Sequence, residues 1–144
     1  MIPHAYGITL SADELGADIQ LGQNVTIGTN GRDMAEGDNT TNHKPRIGNL
    51  VRFHAGCIIS GRIRIGNNVI VAANAIVDKD VPDNSIVYGV NKIKPLQDYH
   101  MQYLKNQLWH CKNIYRLIPG LVYINRKMYI DKNYAEWRNG VFRS

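Results

Sequence analysis

Apolar residues recur at every sixth position from Ile47 onward: Ile47, Phe53, Ile59, Ile65, Val71 and Val77. A second apolar set follows each of these by four positions, at Val51, Cys57, Ile63, Val69, Ala75 and Val81. The residue directly after the first five of these is small at Gly48, Ser60, Gly66 and Ala72, with His54 as the exception. The same phase holds upstream at Leu15, Leu21 and Ile27, with Ile19 and Val25 in the second set and Gly16, Gly22 and Gly28 beside the first. Six is neither a helical period nor the alternation of two that marks a half-buried strand. It fits a short strand, a corner and a second strand, with both apolar positions turned inward. A helix would spread these residues around its whole circumference, and a sandwich would need hairpin turns between strands of variable length. The pattern therefore predicts a solenoid of parallel strands, with coils about 4.8 Å apart around one continuous apolar column. Asn24, Asn49, Asn67 and Asn68 stand near the corners, where asparagine tolerates left-handed backbone angles.

The repeat also marks where the coil is interrupted. Residues 4–28 read as early coils, with an irregular turn where the spacing shortens between Leu10 and Leu15. Residues 29–46 are polar and rich in Gly, Asn and Asp, and read as an excursion from the coil; a loop of that length in a compact domain is commonly functional. The repeat resumes at Ile47 and closes in DKDVPDNSIVYGV. Residues 1–95 thus form one domain and residues 96–144 a C-terminal extension. In the extension Tyr99, Tyr103, Leu104, Leu108, Cys111 and Tyr115 follow helical spacing up to Pro119-Gly120. LVYINRKMYI then predicts a hairpin about Asn125–Lys127. A helix and hairpin that cap the open end of the coil would cover an edge that invites aggregation.

Composition narrows the function classes only a little. The net charge of +5 is uneven: residues 1–91 hold seven Lys/Arg against nine Asp/Glu, and residues 92–144 hold ten against three. The basic character belongs to the extension and reads as a solvated face, with no nucleic-acid partner expected. No apolar run approaches the roughly 18 residues of a membrane span, and the N-terminus lacks the pattern of a secretory leader. Cys57 and Cys111 share no metal-binding or redox spacing. These features lead us to expect a cytoplasmic protein with reduced thiols.

The stretch RIGNLVRFHAGCIISGRIRIGNNVIVAANAIVDKDVPDNSIVYGV resembles the hexapeptide-repeat acyltransferases, and within them the serine acetyltransferases. IPHAYGITL looks like the family segment that holds a catalytic histidine followed three residues later by Gly. VTIGTNG, a polar loop and HKPRIGN look like the family's Gly-rich strand end, loop and His-Pro corner. DKDVPDNSIVYGV is similar to its closing coil. The likeness covers residues 2–95. It implies an all-β core that is a left-handed parallel β-helix, a homotrimer, and acetyl-CoA as co-substrate in the groove between adjacent prisms. The hand rests on the resemblance alone, because parallel crossovers are usually right-handed. Family serine acetyltransferases carry an aspartate about one coil before the catalytic histidine and another directly before it. Here Pro3 precedes His4, and Asn91 stands where the closing motif has proline.

Acetyl transfer from a thioester to a hydroxyl needs a base for the hydroxyl proton, a donor for the tetrahedral oxyanion and a groove that aligns both substrates. Carried over by position, the resemblance makes His4 the base and His43 the residue that places the acceptor. It makes Gly28, Ala55, Gly61 and Ala73 the small residues that let pantetheine approach the backbone. Lys79 and Lys92 are candidates for the CoA phosphates. His54 replaces a small corner residue and is expected to be structural; His100 and His110 are expected to pack or lie at the surface. No metal is expected. The implied activity is O-acetylation of a small hydroxyl acceptor, serine or a sugar. The alternatives are a non-catalytic β-solenoid scaffold or binding module, and a metal-dependent hydratase of the γ-carbonic anhydrase kind. The last would need a closely spaced histidine pair that His43 and His54 do not make.

Overall fold

The computed structural model describes residues 2, 6–35, 43–100, 103, 121–124 and 127–130, with residues 34–35 and the last two segments as backbone alone. Two compact units divide the chain, Met1–Pro95 and Leu96–Ser144. The first is a parallel β-helix with three faces. Face one stacks β1 (Thr9–Leu10), β4 (Thr26–Gly28), β7 (Ile58–Ser60) and β10 (Ile76–Val77). Face two stacks β2 (Glu14–Leu15), β5 (Arg46–Ile47) and β8 (Arg64–Ile65), and a bridge from Ile65 to Val81 extends it. Face three stacks β3 (Gln20–Leu21), β6 (Val51–Phe53), β9 (Val69–Val71) and β11 (Ser85–Tyr88). On face three, β12 (Lys92–Pro95) then pairs antiparallel with β11 and covers that parallel edge.

The register shows why the sequence period is six. Ile58 pairs with Ile76, Arg46 with Arg64 and Arg52 with Ile70, so one coil takes three hexads. Thr9 pairs with Thr26, one residue short of that spacing, which is the irregular first turn. All twelve inner positions expected between Ile47 and Val81 are buried. They stack like on like: Val25, Cys57 and Ala75; Ile27, Ile59 and Val77; Leu21, Phe53, Val71 and Val87. Leu10 and Leu15 occupy the same inner phase but are 42% and 49% exposed. They belong to the first coil, which no other described coil covers from outside.

Two corner columns need left-handed backbone. Between faces three and one, Gly7, Asn24, Gly56 and Asn74 all have φ between 55° and 70°. Between faces two and three the column is Asp18, Leu50, Asn68 and Asn84, with φ of 54–57°. Asn24 and Asn68 thus do what the sequence reading expects of them. Asn49 and Asn67 do not: neither has positive φ. Their side chains form a ladder instead. Asn49 Oδ1 accepts the Ala17 N–H at 2.7 Å, Asn67 Oδ1 accepts the Asn49 N–H at 2.8 Å, and Asp83 Oδ1 accepts the Asn67 N–H at 2.7 Å. Each carboxyl or amide oxygen satisfies a corner N–H of the coil before it, a donor that would otherwise go unpaired.

On the outer side of β6, Arg52 is buried and reaches back one coil to Asp18. Its Nη2 lies 2.6 Å from Asp18 Oδ2, and its Nη1 donates to the Asp18 carbonyl at 2.6 Å. In the second unit, residues 98–100 and 103 are helical, and the rest of the helix expected there lies outside the described residues. The expected hairpin is present: β13 (Leu121–Ile124) pairs antiparallel with β14 (Lys127–Ile130). Among the described residues no helix is long and apolar enough to cross a membrane.

The alternation of Gly and Asn in the first corner column has a packing cause. A side chain at Gly56 would run into the Asn74 side chain, as one at Gly7 would into Asn24. Gly56→Ala is therefore expected to destabilise the chain by about 1–2 kcal/mol through its φ alone, and by more through the clash. Adding Asn74→Gly should recover the clash part. Urea unfolding of both variants measures this, and a double variant no more stable than Gly56→Ala would contradict the packing cause.

Candidate active site

The excursion leaves the coil at the corner between faces one and two. Asn30 Oδ1 accepts the Asp33 N–H at 2.8 Å and so caps the short helix α1 (Gly31–Ala35). Asp33 Oδ2 accepts the Arg62 N–H at 2.6 Å, which ties the excursion to the following coil. Gly61, at φ 96°, lies beneath: any side chain there would strike Asn30 and Asp33. Gly28 differs, because nothing stands within 4 Å of the position a Cβ would take. The chain returns at His43, which is half-buried, and the Lys44 N–H donates to Asp13 Oδ2 at 3.3 Å. Lys79 follows β10 and is exposed.

The other candidates lie across face one, at its corner with face three. Ala55 is half-buried and Ala73 exposed, and the Asn74 N–H donates to the Ala55 carbonyl at 2.9 Å. His54 stands between Gly22 and Ala72 in a column; the N–H groups of Gly22, His54 and Ala72 donate to the carbonyls of Phe53, Val71 and Val87 in turn. Next to it a groove of about 290 Å³ opens, lined by Gln20, Gly22, Gln23, Arg52, His54 and Ala55 among others. His4 lies outside the described residues. Two residues on, the Tyr6 carbonyl accepts the Asn24 N–H at 2.7 Å at this same corner. Lys92 begins β12, and its Nζ sits 6.0 Å from the Tyr88 ring centroid, with Lys94 Nζ at 5.3 Å. Within one copy, then, Gly28, Gly61, His43 and Lys79 share one corner, and Ala55 and Ala73 share another.

Burial decides the chemistry of two groups. It pushes the Cys57 thiol up to about 12, so this side chain is a core filler and no nucleophile. Burial first, and the Arg52 guanidinium second, hold His54 below its ordinary 6.5. In the second unit His100 Nδ1 accepts the Gln97 N–H at 3.0 Å, and its ring lies 3.9 Å from that of Tyr99. Among the described residues no three His, Cys, Asp or Glu are grouped as metal ligands. Sequence reasoning missed Asp33 and the Arg52–Asp18 pair. Asp33 carried a signal in its spacing from Asn30, a capping pattern inside the excursion.

The His54 shift sets a pH dependence. A histidine whose folded pKa is lowered binds fewer protons folded than unfolded, so stability rises with pH up to the unfolded value of about 6.5 and is lost as pH falls through the folded value. A proton-NMR titration should place the His54 midpoint below 6.5, and urea midpoints should fall as pH is lowered from 7. A midpoint at or above 6.5 would contradict the burial of its ring.

No family model matches the chain. Similar curated proteins are a serine acetyltransferase of Mycobacterium tuberculosis, 36% identical over 90 residues, and one of Staphylococcus aureus, 31% identical over 90 residues. Each alignment covers 62% of this chain, and 37% and 39% of the relative. The bifunctional protein GlmU of Gloeothece citriformis is 32% identical over 85 residues, 59% of this chain and 19% of that one. Among solved structures, serine acetyltransferase of Neisseria gonorrhoeae aligns with a TM-score of 0.52 at 34% identity over 67% of this chain and 36% of its own. A serine acetyltransferase in complex with cysteine aligns with a TM-score of 0.55 at 26% identity, over 67% and 35%. The chain thus spans under two fifths of the length of the serine acetyltransferases it matches. Three parallel faces, the six-residue register and these likenesses together show that the chain resembles the serine acetyltransferases and has their fold, a left-handed parallel β-helix.

Proposed function

We propose that this chain is an acetyl-CoA-dependent O-acetyltransferase that acts on a small hydroxyl acceptor, works in the cytoplasm and assembles as a homotrimer. The observation that carries the reading is the division of the candidate residues onto the two edges of face one. Between those edges the outer column of face one begins with Thr9 and Thr26 and becomes apolar in the later coils: Ile58 and Ile76 are each 41% exposed and stacked in register, and Val90, bridged to Ile76, is 62% exposed. Such a stripe favours contact with another copy. Contact there brings the Gly28 corner of one copy toward the Ala55 corner of the next, and one groove then has both sets of small residues along it.

In that groove the chemistry is a single acyl transfer. His4 accepts the acceptor's hydroxyl proton as the oxygen attacks the thioester carbonyl carbon. The tetrahedral intermediate collapses, the C–S bond breaks, and the proton passes from His4 to the departing CoA thiolate. His43 positions the acceptor. Gly28, with open space on its Cβ side, lets pantetheine lie against the backbone, and Ala55 and Ala73 do the same from the other edge. Gly61 contributes by seating the excursion that carries His43. Lys79 and Lys92 meet the CoA phosphates.

His4→Ala is expected to slow thiol release from acetyl-CoA by about 10²–10⁴ with unchanged circular dichroism; full activity in this variant would remove His4 from the mechanism. Ile58→Asp combined with Ile76→Asp is expected to give a monomer by light scattering and to lower activity with it. A fully active monomer would overturn the shared groove.

A further inference from the structure

We infer that the groove formed by Gln20, Gln23, Arg52 and His54 beside Ala55 binds a neutral, polyhydroxylated ring, the unit of a sugar. Its role as the acceptor site rests on the acetyl-transfer reading above. The inference itself rests on what the groove offers a ligand.

Charge comes first. Among the described residues the one ionised side chain lining the groove is Arg52, and its charge is already matched by Asp18 at 2.6 Å. A free amino acid brings an ammonium and a carboxylate and would need an unspent partner for each, since desolvating an unpaired ion is costly. The groove provides neither among its described residues. Hydrogen-bonding capacity comes second, and here the groove is rich. Gln20 and Gln23 each carry an amide with both donors and an acceptor. Burial and Arg52 favour the neutral form of His54, a ring that carries one donor and one acceptor nitrogen and no charge. Each hydroxyl of a sugar both donates and accepts, so such a ring matches this mixed set where a single-sign ligand does not.

Shape and place agree with the chemistry. A volume of about 290 Å³ sits at the low end of small-molecule sites, which run from roughly 300 to 1,000 Å³. That is room for one small ring and too little for a nucleotide. The groove exists because the corner column is small below and above His54. At Gly22 a Cβ would sit 2.8 Å from the Ala55 nitrogen, so no side chain fits there. Gln23 precedes Asn24, whose N–H holds the Tyr6 carbonyl two residues after His4. Ala55 belongs both to this groove and to the column assigned above to pantetheine.

The test is binding to the whole chain without acetyl-CoA, by saturation-transfer NMR and calorimetry. The probes are methyl α-D-glucopyranoside, methyl β-D-galactopyranoside, N-acetyl-D-glucosamine and L-serine. At least one sugar is expected to bind, and its affinity should fall at least tenfold in Gln23→Ala and in His54→Ala, with circular dichroism unchanged. The inference is overturned if no sugar binds, if binding survives both substitutions, or if serine binds and is the ligand these substitutions abolish. Sugar binding that behaves as expected without thiol release from acetyl-CoA would uphold the groove and remove the transferase reading instead.

Discussion

Stacking in register is the constraint on which the rest of this structure depends. Each coil hydrogen-bonds to the next through three short parallel strands, so every residue lies above its counterpart one coil earlier. A column must then be chemically consistent from end to end. Inner columns are Val, Ile, Leu, Phe, Cys and Ala because the interior is closed to water and narrow. Corner columns are Gly and Asn, or Asp, Leu and Asn, because the backbone turns there through left-handed angles. The site inherits this order: small residues on one edge recur on the same edge, coil after coil.

The frame was largely legible before any coordinates, because burial at a fixed period leaves a strong trace in the residue types. Ile47 through Val81 shows this, and so does the antiparallel pairing of residues 121–124 with 127–130. Corner geometry was legible only where the residue advertises it. Asn24 and Asn68 do; Leu50, at φ 57° and fully buried, does not, since nothing about leucine signals a left-handed turn. Asn49 and Asn67 advertise a turn and instead feed oxygens to the neighbouring coil, a role that depends on register and not on intrinsic preference.

The candidate site was less legible for the same reason. Arg52 looked like any outward residue of a strand, and its partner Asp18 sits one coil away across the whole excursion. Sequence distance hid the pair, and with it the polar groove beside His54. Gly61 read as clearance for a ligand, yet its open side is filled by Asn30 and Asp33. Small residues in a solenoid have two physical reasons to be small, room for a ligand or room for the chain itself, and only coordinates separate them.

The excursion has a consequence for how such a protein can change. Thr26 pairs with Ile58 and Glu14 with Arg46 as though nothing had been inserted, because the coil leaves and rejoins its register at neighbouring points. The frame is therefore blind to the length of what lies between. For a flexible loop, doubling the length adds only about 0.6 kcal/mol of closure entropy. Asp33 ties the start of the insertion to Arg62 of the following coil, and the Lys44 N–H ties its end to Asp13. A change of length between these two ties thus leaves the register of the solenoid as it is.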